Sequence, residues 1–134
     1  DPSLGVVIDD PQGREIHLAD FAHTIRVFDV WATWCGPCRM GIPHLNAIYD
    51  RFRDRGVVVI GLSVDDGPRE VRDFQREVPM RYPNGMFNRQ MAGLLGDPSV
   101  IPTTFLVDRQ GRVVRRFRGF VDASTLERAI LNLL

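Results

Sequence analysis

The chain has 134 residues, of which 44% are hydrophobic and 25% charged, a balance that suits one globular domain with its own core and excludes a largely disordered chain. Its 17 basic and 17 acidic side chains cancel, so the net positive charge that drives nucleic-acid or anionic-membrane binding is missing. All 17 basic residues are arginine, which rules out a lysine Schiff base and a lysine-bearing phosphate loop.

In chain order, Leu4 to Ile8 and Glu15 to Leu18 read as two short strands around the turn Asp9-Asp10-Pro11-Gln12-Gly13, an N-terminal hairpin. Ile25 to Trp31 is a largely apolar and β-branched run, the pattern of a central strand buried on both faces. Ile42, Leu45, Ile48, Tyr49 and Phe52 then recur at helical spacing, with Asp50, Arg51, Arg53 and Asp54 opposite and Gly56 as the stop. Val57 to Val64 repeats the buried-strand pattern, so these two strands run parallel around a helical crossover. Arg69 to Val78 follows Pro68 as a second helix, and Asn88 to Leu95 is a third, capped by Asn88 and ended at Gly96. Thr103 to Val107 and Val113 to Phe117 flank a turn and form a hairpin; the last helix starts near Ala123, where Ser124 and Glu127 have capping-box spacing. The β-β-β-α-β-α-α-β-β-α order predicts an α/β protein: a three-layer α/β/α sandwich on a mixed sheet, with residues 1–134 forming one domain.

The two cysteines, Cys35 and Cys38, are too few and too close for a structural disulfide framework. Cys35 directly follows a buried strand and opens a helix. Its sulfur there meets unpaired N–H groups and the positive end of the helix dipole, which favour thiolate and make it the nucleophile. Pro37 is tolerated in the first turn, and Cys38, one turn on, faces back towards the first sulfur from the apolar side as the resolving thiol. A zinc site and two inert buried cysteines are the competing readings. Zinc needs four ligands, and His17, His23 and His44 are scattered, so no metal site is expected.

Trp31-Ala32-Thr33-Trp34-Cys35-Gly36-Pro37-Cys38-Arg39 resembles the active-site segment of thioredoxin-fold proteins, and Ile101-Pro102-Thr103-Thr104-Phe105-Leu106-Val107-Asp108 resembles their second signature. The wording of both motifs and the N-terminal hairpin are most similar to the ResA/TlpA-type thiol-disulfide oxidoreductases, and the likeness covers nearly the whole chain. That resemblance implies a thioredoxin-like fold and reduction of disulfides in client proteins outside the cytoplasm, for cytochrome c or copper-site maturation. It implies no cofactor beyond the Cys35–Cys38 pair, an upstream membrane thiol-disulfide electron donor, and a monomer. Pro102 matches the family's cis-proline. Trp34, Gly36, Pro37, Ile101 and Thr103 fall at the client-binding surface, with the Ile101 backbone placed to pair with an extended client segment. Gly36-Pro37 matches the dipeptide of reducing thioredoxins, so a reductant is expected.

Asp29 falls where thioredoxins carry a buried acid. Inside an apolar strand its pKa should rise and suit it to accept a proton from the resolving thiol; a purely structural Asp is the bland alternative. ResA/TlpA-type proteins commonly have Asn or another neutral residue there, and a Glu three residues after the second cysteine, where this chain has Gly41.

Asp65-Asp66-Gly67 reads as a strand-to-helix connection, and Arg115, Arg116 and Arg118 as a solvated strand face. Trp31 is expected in the core, and Met80, Met86 and Met91 lack the spacing of a copper motif. Two other function classes stay open: a Cu(I)-carrying module using the two thiols, and a thiol peroxidase of the peroxiredoxin kind, whose cysteine normally stands in a Thr-x-x-Cys setting. No apolar run is long enough to span a membrane, and Asp1-Pro2-Ser3 does not begin a signal peptide. The chain starts without Met, so a removed signal or anchor is compatible with it.

Overall fold

In the computed structural model, which describes residues 1–134, Ile25–Trp31 (β3) is the middle strand of a five-stranded sheet. Every one of its seven residues is buried, as a strand covered on both faces requires. It is preceded by β1 (Val7–Asp9), β2 (Glu15–His17) and a 3-10 turn over Leu18–Phe21, and followed by α1 (Gly36–Phe52), β4 (Val57–Ser63), α2 (Pro68–Glu77), β5 (Asn84–Met86), α3 (Arg89–Leu95), β6 (Thr103–Val107), β7 (Val113–Arg118) and α4 (Ala123–Leu131). The strand order is β5-β4-β3-β6-β7, with β1 and β2 as a separate antiparallel pair. β3, β4 and β5 run parallel, while β6 and β7 are antiparallel to their neighbours.

Alternation along β3 divides the core. Ile25 and Val27 pack with Leu45, Ile48 and Phe52 of α1 and Leu126 and Ile130 of α4. Phe28 and Val30 face the other way, onto Met91 and Leu95 of α3 and Val6, Ile8 and Leu18 of the N-terminal segment. A third cluster joins Trp31, Cys35 and Cys38 to Val71 of α2. The site therefore sits where three packed units meet at the C-terminal end of β3. This is the α/β sandwich expected from the sequence, with a mixed sheet and an N-terminal hairpin. No helix is long and apolar enough to cross a membrane.

Several element boundaries shift by one residue, and four larger differences from expectation have local causes. The first strand begins at Val7 rather than Leu4, because residues 3–6 are held in a turn by the Val6 N–H to Ser3 carbonyl bond of 2.9 Å. β5 is an addition: Asn84-Gly85-Met86 has neither alternation nor strand propensity, and exists because it pairs with Gly61, Leu62 and Ser63 of β4. α1 ends at Phe52, and Gly56, with φ of 75°, turns the chain into β4 three residues after the Arg53 cap. The cap of α4 is Asp122, whose carboxylate accepts the Thr125 N–H at 2.8 Å, and not Ser124.

Arg26 is fully buried on the α3 face of β3. Its guanidinium donates to Asp1 Oδ2 at 2.8 Å, to Ser3 Oγ at 2.8 Å and to the Thr24 carbonyl at 3.2 Å. The Asp1 carboxylate is itself mostly covered, so losing either partner leaves a poorly solvated charge. Arg26→Ala is expected to lower stability by about 3 kcal/mol, the usual result of breaking a buried pair, whereas Arg26→Met should cost less because it keeps the volume. Urea unfolding of the two variants checks the order.

Candidate active site

β3 ends at Trp31, and a tight turn, closed by the Cys35 N–H to Ala32 carbonyl bond of 3.2 Å, swings the chain into α1. Cys35 is the cap of that helix. Its backbone is extended, and its sulfur takes the place usually filled by a Ser or Asp oxygen, accepting the Cys38 N–H at 3.2 Å. The sulfur thus lies among the free N–H groups at the positive end of a 17-residue helix, a setting that favours thiolate once the pair is reduced. Pro37 occupies the first turn, where no N–H partner is needed. Cys38, one turn along, is joined to Cys35 by a disulfide with a Cα–Cα separation of 5.2 Å. Cys38 is 2% exposed and Cys35 7%, while neighbouring Trp34 is 70% exposed. The outer sulfur therefore borders open apolar surface and the inner one faces the core.

The Ile101–Pro102 bond is cis and presents the Ile101 carbonyl 3.9 Å from Cys35 Sγ. Neither the N–H nor the C=O of Ile101 enters a backbone hydrogen bond within the fold. Thr103 begins β6, with its hydroxyl donating to the Val100 carbonyl at 2.6 Å, and Gly119 N–H donates to the Pro102 carbonyl at 2.7 Å. The loop is thereby tied down on both sides with the Ile101 edge left free. Trp34, Gly36, Pro37 and Ile101 all lie on this rim; Thr103 is buried behind it.

Asp29 lies on the α1 side of β3, between Gly61 of β4 and Thr104 of β6. It is 4% exposed and accepts one hydrogen bond, from Thr104 Oγ1 at 3.1 Å. Burial pushes its pKa up to about 7, against the smaller downward pull of the Thr104 bond. Asp29 and Cys38 line one small cavity of about 10 Å³ together with Gly41, Pro102, Thr104 and Phe120, room for a single water. Gly41 opens it: a Cβ there would meet nothing within 4 Å. Tyr82, buried with its hydroxyl unpartnered, belongs to the same core, and its pKa is raised by burial and then by the Asp29 charge.

Asp65 is the functional neighbour that the sequence presents only as a strand-to-helix connection. Its carboxylate accepts from the Thr33 N–H at 3.1 Å, the Thr33 hydroxyl at 2.7 Å and the Ser63 hydroxyl at 2.7 Å. It ties the end of β4 to the turn that carries Trp34 and Cys35. The one hint in the sequence is an acid directly after a buried strand. Asp65→Ala removes three charge-assisted bonds and is expected to cost about 3 kcal/mol, with Asp65→Asn recovering part of it. Thermal unfolding measures the cost, and a slower reaction of reduced Cys35 with a small disulfide reads the looser turn.

No group of three or more His, Cys, Asp or Glu side chains gathers in a metal-binding arrangement. His44 is occupied elsewhere, accepting the Ala123 N–H at 2.9 Å on Nδ1 and packing edge-on against Phe120. Met80 and Met91 are divided between the two main core clusters.

A cysteine pair at the head of a helix, set against a cis-proline loop on a mixed five-stranded sheet, defines a thioredoxin-fold thiol-disulfide oxidoreductase. Comparison with known proteins agrees. The chain belongs to the AhpC/TSA family, whose profile matches residues 3–116. It is 30% identical over 123 residues to the thiol-disulfide oxidoreductase ResA of Bacillus cereus, covering 90% of this chain and 70% of that protein. Among solved structures, a Chlorobium tepidum protein assigned as thiol:disulfide interchange protein DsbE superposes with a TM-score of 0.86 at 29% identity, covering 99% of this chain and 95% of that one. A secreted thiol-disulfide isomerase from Corynebacterium glutamicum gives 0.85 at 28% identity, over 96% and 83% of the two chains.

Proposed function

We propose that this oxidoreductase works outside the cytoplasm as a reductant of client-protein disulfides, of the kind that cytochrome c or copper-site maturation requires. The observation that carries the reading is the pairing of Cys35 with the free Ile101 edge, 3.9 Å from its sulfur. An extended client segment laid along that edge brings its disulfide to the outer cysteine. The C. glutamicum relative, described as secreted, supports the compartment.

Reduced Cys35, as thiolate, attacks one client sulfur; the client S–S bond breaks, and the departing client thiolate takes up a proton. Cys38 then gives its proton to Asp29 across the cavity they share and attacks Cys35 Sγ. The mixed disulfide breaks, the second client thiol leaves, and two electrons have passed to the client. Asp29 suits the proton step because its pKa of about 7 lets it accept and return a proton near neutrality. An upstream dithiol donor must then reduce the Cys35–Cys38 bond. Gly36-Pro37 points to the reducing end of the scale, so a potential near about −120 mV would contradict the direction of transfer.

Expressing Cys38→Ser in the extracytoplasmic compartment and identifying the protein held on Cys35 tests this. Capture of a chain bearing a Cys-x-x-Cys-His haem-attachment segment or a copper-site cysteine pair is expected. Capture only of the upstream donor, with no such client, would overturn the maturation role.

A further inference from the structure

β7 is an edge strand, and the face it turns towards α3 is not fully covered. Two cavities of about 230 and 350 Å³ lie along that face and share Leu95 and Arg116 in their walls. The first reaches Thr103, the residue after the cis-proline. The first cavity is mostly polar, with Leu95 and Phe105 as its apolar side chains, while the second is mainly apolar, with Phe28, Leu94 and Val113 in its walls. Arg118 stands opposite Thr103 and Arg116 opposite Phe105 across the β6–β7 ladder, so the two guanidiniums share one face at a two-residue interval, about 7 Å along the strand.

These arginines are exposed, and neither has a carboxylate within ion-pair distance. Arg116 is held only by stacking over the Phe105 ring at 5.8 Å. Arg112, lower in the cleft, is already paired with Asp108 at 3.0 Å. Asp97 also lines the upper cavity but is not paired with either guanidinium. In a chain of zero net charge, this is a local excess of unpaired positive charge in a mostly polar cavity that continues into an apolar one. It begins next to the loop that touches Cys35.

We infer that this cleft docks an acidic segment of the client, extended and with carboxylates at alternate positions beside its disulfide, and that Arg116 and Arg118 select for it. The inference rests on the disulfide-exchange reading above and specifies which clients that site takes. Guanidinium forks match carboxylates bidentately, and a charged rim acts chiefly on the association rate in a salt-dependent way.

The test compares two extended disulfide peptides of equal length, one with Asp at alternate positions flanking its cysteines and one with Ser there. Oxidation of the reduced protein is followed by quenching and alkylation at low and high salt, with 2-hydroxyethyl disulfide as an uncharged control. The acidic peptide is expected to react about 10-fold faster at low salt and to lose most of that advantage at high salt. Arg116→Ser/Arg118→Ser should erase the preference while leaving the rate with the control disulfide unchanged. Arg115→Ser, whose guanidinium stacks on Phe117 instead, should keep it. Equal rates for the two peptides, or a preference that survives in the double variant, would overturn the docking role. Failure of the wild-type protein to react even with the control disulfide would instead defeat the exchange reading itself.

Discussion

Asp29→Asn is expected to make the oxidised protein more stable at pH 8.5 by on the order of 4 kcal/mol, and to change it little below pH 4. In the folded chain the Asp29 carboxyl titrates at about 7, against 3.8 for the ordinary group. Between those values the native state keeps a proton that the unfolded state has released, so raising the pH favours unfolding. The cost is absent below the unfolded pKa, grows through the window and is complete above about pH 7; each pH unit between the two pKa values adds about 1.4 kcal/mol. An amide has no charge to bury, so it escapes the cost. Urea unfolding at pH 4, 6 and 8.5 should show the two stability curves diverging through that range. Parallel curves would mean that Asp29 is not a strained buried acid. The same substitution removes the proton acceptor for Cys38, so resolution of a mixed disulfide should slow by on the order of 100-fold and lose its inflection near pH 7.

Separating the two cysteines has the larger effect on chemistry. Cys35→Ser should bring client reduction down to the uncatalysed background, because the remaining thiol is the more deeply buried one, on the inner face of α1 and not at its cap position. Cys38→Ser should preserve the first attack and abolish release, so that one client molecule per protein accumulates in a mixed disulfide. Non-reducing gels after mixing each reduced variant with a disulfide-bearing protein distinguish these outcomes. Equal trapping by both variants would show that the sulfurs are interchangeable, contrary to their placement at the head and on the inner face of α1.

Much of this is legible in the chain itself. β3 and β4 stand out as β-branched runs because both faces of each are buried, and Cys35 lies at the strand-to-helix junction because β3 stops just before it. What escapes a local reading is non-local. β5 is a strand only by virtue of its ladder with β4, and Arg26, a charge inside the central-strand run, finds its partners only when Asp1 and Ser3 fold back over it. Asp65 finds its partner Thr33 32 positions away, a separation no local pattern can signal. Gly41 stands where the family resemblance leads one to expect an acid. Its part in three dimensions is spatial, as the open wall of the cavity that joins Asp29 to Cys38. The arginines of β7 likewise separate only in three dimensions: the ladder puts Arg116 and Arg118 opposite Phe105 and Thr103, and Arg115 opposite Leu106, which faces the α1 layer.

The central claim is that the outer sulfur of the pair, held at the helix terminus, does the attacking. Limiting alkylation of the fully reduced protein with iodoacetamide at pH 7, followed by mass-spectrometric mapping of the labelled peptides, tests it most directly. Label on Cys35 ahead of Cys38 by at least about 10-fold is the expected result, following thiolate fraction and access. Equal labelling, or label first on Cys38, would contradict it.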